Sequence, residues 1–195
     1  MNAITIQGIL FDEKSSYQRG PALAPPLIRE ALHSGSMNLF SENGLSIESP
    51  LILDKGDFSV SSYMDIESIT KNHLSENDRI FTLGGDHSIS FPILKALHQK
   101  YPRIDILHID AHADLYDSYE GDPHSHACPF ARIMENKLAQ RLVQLGIRTL
   151  NPHQAEQAKK LNVEIHTMKD WHIEKLPSFQ TVSYTHLTLP TILRV

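Results

Sequence analysis

Apolar positions along the chain fall into short blocks separated by polar, proline or glycine stretches, and the blocks switch between two periods. Ile4 to Leu10 is nearly continuous, as a strand covered on both faces requires, and Asp12 to Gly20 is a polar loop closing on Arg19-Gly20-Pro21. Pro25-Pro26 opens a helix through His33, since proline is tolerated in a first turn and Leu27, Ile28, Ala31 and Leu32 make one apolar stripe. Ser34 to Ser49 has no period and is loop. Leu51-Ile52-Leu53 is a short strand followed by a turn at Asp54-Lys55-Gly56-Asp57. Met64 to Leu74 is an amphipathic helix, carrying Ile66, Ile69 and Leu74 at helical spacing.

The alternation continues with a strand at Ile80 to Leu83, a helix at Phe91 to Lys100 and a strand at Ile104 to Ile109. An acidic loop from Leu115 to His126 precedes a helix from Pro129 to Leu138. Leu142 to Ile147 is a strand, Pro152 to Lys160 a helix and Val163 to Thr167 a last strand. Strands apolar throughout, alternating with helices, predict βαβ units and an α/β fold with a mostly parallel sheet covered on both faces. Ligands bind such sheets at the carboxyl ends of the strands. There is no internal repeat and no low-complexity tract.

Composition narrows the function class. At 41% apolar and 21% charged over 195 residues, the chain is an ordinary globular one with a soft expectation of one domain. A net charge of −5 supplies no basic stripe, which argues against nucleic acid and acidic lipid as partners. No apolar run approaches the roughly 20 residues that span a bilayer, and Met1-Asn2-Ala3-Ile4 lacks a basic segment followed by an apolar core. A cytoplasmic home is the expectation, and the lone Cys128 forms no intrachain disulfide.

The candidate chemistry lies at two strand ends. Asp110, His112 and Asp114 follow the strand Ile104 to Ile109, and in an extended backbone side chains at i, i+2 and i+4 leave one face. His87 follows the strand ending at Leu83, within Gly84-Gly85-Asp86-His87-Ser88. Two carboxylates and two imidazoles without thiolates suit a divalent first-row ion: Mn²⁺ first, with Zn²⁺, Co²⁺ or Ni²⁺ as competitors. Asp110, in the middle of the set, is placed to bridge a pair of ions roughly 3.5–4 Å apart, as in two-metal hydrolytic sites that acidify water. Four ligands are too few for two ions of near-octahedral demand, so a further carboxylate pair is required.

Gly84-Gly85-Asp86-His87-Ser88 together with Asp110-Ala111-His112-Ala113-Asp114 resembles the first two metal signatures of the arginase/agmatinase (ureohydrolase) family. Arg19-Gly20-Pro21 with Ala24-Pro25-Pro26-Leu27-Ile28-Arg29 resembles its N-terminal segment. Ser125-His126-Ala127-Cys128-Pro129-Phe130 and Gln144-Leu145-Gly146-Ile147-Arg148 resemble its agmatinase-like branch, and the likeness runs from about Ile4 to Trp171. The resemblance implies a three-layer α/β/α scaffold and a binuclear manganese enzyme that hydrolyses a guanidino group to urea and an amine. By position it implies His87 on one ion, His112 on the other, Asp110 bridging, and Asp114 ligating and accepting a hydrogen bond from the nucleophile. His126 matches the family's proton-handling histidine, with His124 as a rival. His108 shares parity with Asp110 and has a supporting role; Cys128 is a packing residue, and Glu164 with His166 belongs to an ordinary strand.

The family's third signature, Ser-Phe-Asp-x-Asp-x-x-Asp-Pro, has no counterpart in the sequence, which contains no Asp-x-Asp. From about Val182, Ser183-Tyr184-Thr185-His186-Leu187-Thr188-Leu189-Pro190-Thr191 is similar to tails of truncated metagenomic reading frames. The expectation is a partial ureohydrolase domain over 1–181 and a non-family tail over 182–195, from a sequencing or assembly junction. Asp117, Glu120 and Asp122 give the loop after Asp114 an acidic mouth that favours a dication. Agmatine, cleaved to putrescine and urea, is therefore the first substrate and guanidinobutyrate the second. The alternative is a non-catalytic fragment holding half of the metal site; a homo-oligomer is expected only of the full-length form.

Overall fold

The computed structural model describes residues 3–77 and 79–170 and the backbone strand of 185–188. Trp171 and positions 182–184 and 189–195 of the proposed tail lie outside the described residues. The chain divides into two compact units, one through Leu97 and one from His98. Alternating strands and helices specify parallel pairing, not how many sheets the strands share.

The first unit contains β1 (Ile4–Leu10), α1 (Ala24–Leu32), β2 (Ile52–Ser59), α2 (Asp65–Glu76) and β3 (Arg79–Leu83), and α3 (Ser90–Lys100) begins in it. Its sheet has the order β2-β1-β3, with both pairings parallel. Its buried apolar core includes Ile9, Ile66, Leu74, Phe91, Leu94 and Leu97. The turn expected at Asp54 to Asp57 is instead part of β2. The Arg29 guanidinium from α1 binds both oxygens of Asp54, at 2.8 and 2.7 Å, and reaches Asp57. Those ion pairs let a polar stretch run on as an edge strand, with a register slip between Ile6 and Gly8 that sets Lys55 and Gly56 opposite Gln7.

The second unit contains β4 (Asp105–Ile109), α4 (Pro129–Glu135), β5 (Arg141–Ile147), α5 (Pro152–Lys160), β6 (Glu164–Thr167) and β7 (Thr185–Thr188). Its sheet has the order β6-β5-β4-β7, again parallel throughout. Four successive residues of β5, Leu142 to Leu145, are buried, so both faces of that strand are covered. The α/β class with parallel strands is what the structure has. Helix α4 stops at Glu135, short of the expected Leu138, because the chain turns over at Lys137 with φ 54°. Among the described residues no helix is long and apolar enough to cross a membrane.

Candidate metal centre

In the first unit, Gly85, Asp86 and Ser88 of Gly84-Gly85-Asp86-His87-Ser88 each have a local reason. Asp86 N donates to Phe11 O at 2.9 Å, which brings the backbones so close that a Cβ on Gly85 would overlap Phe11 O. The buried Asp86 carboxylate caps the single 3₁₀ turn His87–Ile89, accepting from Ser88 N at 3.0 Å and from the Ser88 hydroxyl. Its other oxygen accepts from Lys14 N at 3.0 Å and Ser15 Oγ at 3.2 Å. His87 is thereby fixed at the carboxyl end of β3.

In the second unit, β4 hands over to the Asp110 loop under control of β5. Asp110 N donates to Leu145 O at 3.0 Å, and Arg148 N and Thr149 N both donate to Ala111 O. The register between β5 and β6 shifts at Gly146, whose φ of +86° and 3.2 Å approach of an added Cβ to Asp110 O favour glycine. Asp110 Oδ1 accepts from His112 N at 3.0 Å, an Asx-type turn that bends the chain. The extended i, i+2, i+4 geometry expected of Asp110, His112 and Asp114 is therefore replaced by a loop. β4 ends at Ile109, and Asp114 has left-handed backbone at φ 50°.

That loop brings some of the expected residues together. Ligand atoms of His108, Asp110 and Asp114 lie within 4.8 Å of one another. Asp110 is 8% and Asp114 6% exposed. The His112 side chain is 58% exposed, with Nδ1 3.3 Å from Asp110 Oδ1. His108 is fully buried; its Nε2 is 3.3 Å from Asp110 Oδ2 and its ring packs on Phe130 with centroids 4.0 Å apart. Two buried carboxylates this close repel each other and are desolvated, an arrangement that a cation between them relieves. With only oxygen and nitrogen donors, the set fits a hard or borderline divalent ion.

The acidic loop is more ordered than its composition implies. Leu115 N donates to Gln154 Oε1 at 3.1 Å, and Tyr119 and Asp122 pair across Glu120 and Gly121. Asp122 Oδ1 accepts from His124 N at 2.8 Å, and Asp117 pairs with His153 at 3.1 Å. Two of the three acids thus serve local contacts, which weakens their reading as a mouth for a dication. His126 is half-buried, with Nδ1 3.4 Å from Ser125 Oγ and its ring edge-on to Tyr119; His124 is two residues away on the same turn. Burial pushes the Cys128 thiol up to about 12, so it is a packing residue and no nucleophile. The Arg141 guanidinium, with His166, holds Glu164 below the usual carboxylate range, which accounts for the Glu164 and His166 alternation as a surface ion cluster.

Gln144 is the residue that motif reading passed over. Its Nε2 contacts His108 Nδ1 at 3.0 Å and Ala113 O at 2.6 Å from the middle of β5. The available signal was a lone glutamine in the apolar run Leu142-Val143-Gln144-Leu145-Gly146-Ile147.

Comparison with known proteins places these features in a family. The Arginase family model matches residues 2–187. Arginase 1, mitochondrial, of Arabidopsis thaliana is 41% identical over 179 residues, 85% of this chain and 52% of the relative. An agmatinase of Bacillus cereus is 32% identical over 84% of this chain and 58% of its own length. Among solved structures, an arginase from Medicago truncatula superposes with a TM-score of 0.75 at 38% identity, covering 86% of this chain and 57% of that one. The chain spans about half the length of the curated relatives it matches.

Proposed function

Because the chain belongs to the arginase family, we propose that it comes from a metal-dependent ureohydrolase that cleaves a guanidino substrate to urea and an amine. The observation that carries the reading is the pair of buried carboxylates, Asp110 and Asp114, whose oxygens lie within 4.8 Å of one another. The proposed ligands are His87, Asp110, His112 and Asp114, with manganese as the metal and zinc, cobalt or nickel as rivals. A divalent pair would supply Lewis acidity, bringing the pKa of water towards neutrality. Asp110 orients through the hydrogen bond from His112 N at 3.0 Å. Asp114 accepts a hydrogen bond from the attacking water, and the half-buried His126 takes or returns a proton at the loop, with His124 as its rival.

Two observations bear on the substrate. The acids of the loop support agmatine, giving putrescine, with guanidinobutyrate behind it. Arginine is supported by the plant relatives at 41–42% identity, which carry the name arginase, and by the local engagement of Asp117 and Asp122. A cytoplasmic home and a homo-oligomeric full-length form belong to the same proposal. The second reading, that these 195 residues hold metal without turnover, rests on the lack of any Asp-x-Asp segment in the sequence.

Urea release by the purified chain with Mn²⁺, measured in parallel on agmatine, L-arginine and guanidinobutyrate, tests the proposal. Release from one substrate identifies it, while Mn²⁺ uptake with no release supports the second reading. A chain that neither takes up Mn²⁺ nor releases urea refutes both.

A further inference from the structure

A buried glutamine in the middle of a strand costs stability unless its polar atoms are satisfied, and Gln144 is fully buried with its Oε1 unpartnered among the described residues. An apolar residue would pack there at lower cost, so the amide serves something besides packing. Its nitrogen is within hydrogen-bond reach of Ala113 O at 2.6 Å and His108 Nδ1 at 3.0 Å, and an amide nitrogen has two hydrogens to give. Turning the amide over would set Oε1 against Ala113 O with no proton between two acceptors, so the orientation is fixed.

A nitrogen that accepts carries no proton. His108 Nδ1 accepts from Gln144, so the neutral ring holds its proton on Nε2, which lies 3.3 Å from Asp110 Oδ2. Packing of the ring on Phe130 at 4.0 Å, in a fully buried site, prevents it from turning away. We infer that Gln144 and His108 are a positioning pair: Gln144 sets the tautomer of His108, and the His108 Nε2–H holds the Asp110 carboxylate in the orientation that receives a divalent cation. His112 N fixes the other oxygen at 3.0 Å, so both oxygens of Asp110 are oriented by the protein. The inference rests on the metal-binding part of the proposed function and deepens it.

Two measurements on the purified 195-residue chain test it. Long-range proton–nitrogen correlation of the histidine rings, without metal, is expected to find His108 as the Nε2–H tautomer in the wild type and as a mixture in Gln144→Leu. An Nδ1–H tautomer in the wild type overturns the inference. Titration with Mn²⁺, followed by the electron paramagnetic resonance of the free ion, is expected to show His108→Leu binding about 10–100-fold more weakly, the usual effect of losing such a partner. His108→Gln, whose amide nitrogen takes the place of Nε2, is expected to recover most of that affinity. Wild-type affinity in folded His108→Leu, or equal losses in the Leu and Gln variants, overturns the inference. Failure of the wild type to bind Mn²⁺ counts against the ureohydrolase reading, while the tautomer, read without metal, still decides whether Gln144 controls His108.

Discussion

Gly146→Ala combines a backbone penalty with a collision at the Asp110 loop, and Gly121→Ala isolates the first. Both glycines have left-handed backbone, at φ +86° and +83°. An L-residue there costs about 1–2 kcal/mol. An added Cβ on Gly121 meets nothing within 4 Å, whereas on Gly146 it lies 3.2 Å from Asp110 O. That carbonyl cannot yield cheaply, because Asp110 N is tied to Leu145 O at 3.0 Å on the neighbouring residue. Forcing it aside adds about 1–3 kcal/mol, as overpacking does elsewhere. With a urea slope of about 2 kcal/mol/M, the unfolding midpoint falls by about 0.5–1 M in Gly121→Ala and about 1–2.5 M in Gly146→Ala. Urea unfolding followed by circular dichroism reads the difference, and Mn²⁺ titration reads its consequence: affinity drops in Gly146→Ala and is unchanged in Gly121→Ala. Equal midpoints, or equal Mn²⁺ affinities, would refute the argument that β5 controls the position of Asp110.

Burial in the first unit lowers the pKa of His73, whose Nδ1 lies 2.6 Å from Gln7 Oε1 and whose ring meets Phe58. The unfolded chain therefore takes up that proton first. Stability is fully present above the ordinary value of 6.5 and is lost as pH falls below it through the folded value. Urea midpoints between pH 8 and 5 should drop more steeply in the wild type than in His73→Gln, and parallel curves would exclude His73 as the cause. A thiol reagent at pH 8 should leave Cys128 unmodified in the native protein and label it on unfolding, since the thiol is buried and its pKa raised to about 12; rapid native labelling would contradict that burial.

The sequence carried the strands and helices well because their apolar blocks are long and the fold buries them on both faces. Ile4 to Leu10 and Pro152 to Lys160 appear with the expected bounds. It failed at β2, where Asp54 and Asp57 look like turn residues until Arg29, from a helix some 25 residues earlier, neutralises them. No local pattern encodes a partner that distant. The candidate residues are legible as residue types, with His87 in one motif and Asp110, His112 and Asp114 in another. The shape of the Asp110 loop is not, because alternation assumes extended backbone. The bend at Asp110 comes from a side chain accepting its own chain's His112 N, and the left-handed turn at Asp114 has no counterpart in a period of two. Gln144 was missed because motif reading looks for ligands, and this residue touches a histidine that in turn touches Asp110, a proposed one.

The backbone of Asp114 has a consequence for how the sequence can drift. At φ 50° the position is one that glycine or asparagine would occupy with no more strain than aspartate, and neither would bring a second buried carboxylate beside Asp110. Selection for folding alone gives no reason to keep an aspartate there and some reason to lose it. A copy of this gene released from the need to bind a cation would be expected to lose the charge at 114 early while its strands persisted, so the identity of this one residue would separate working copies from decaying ones.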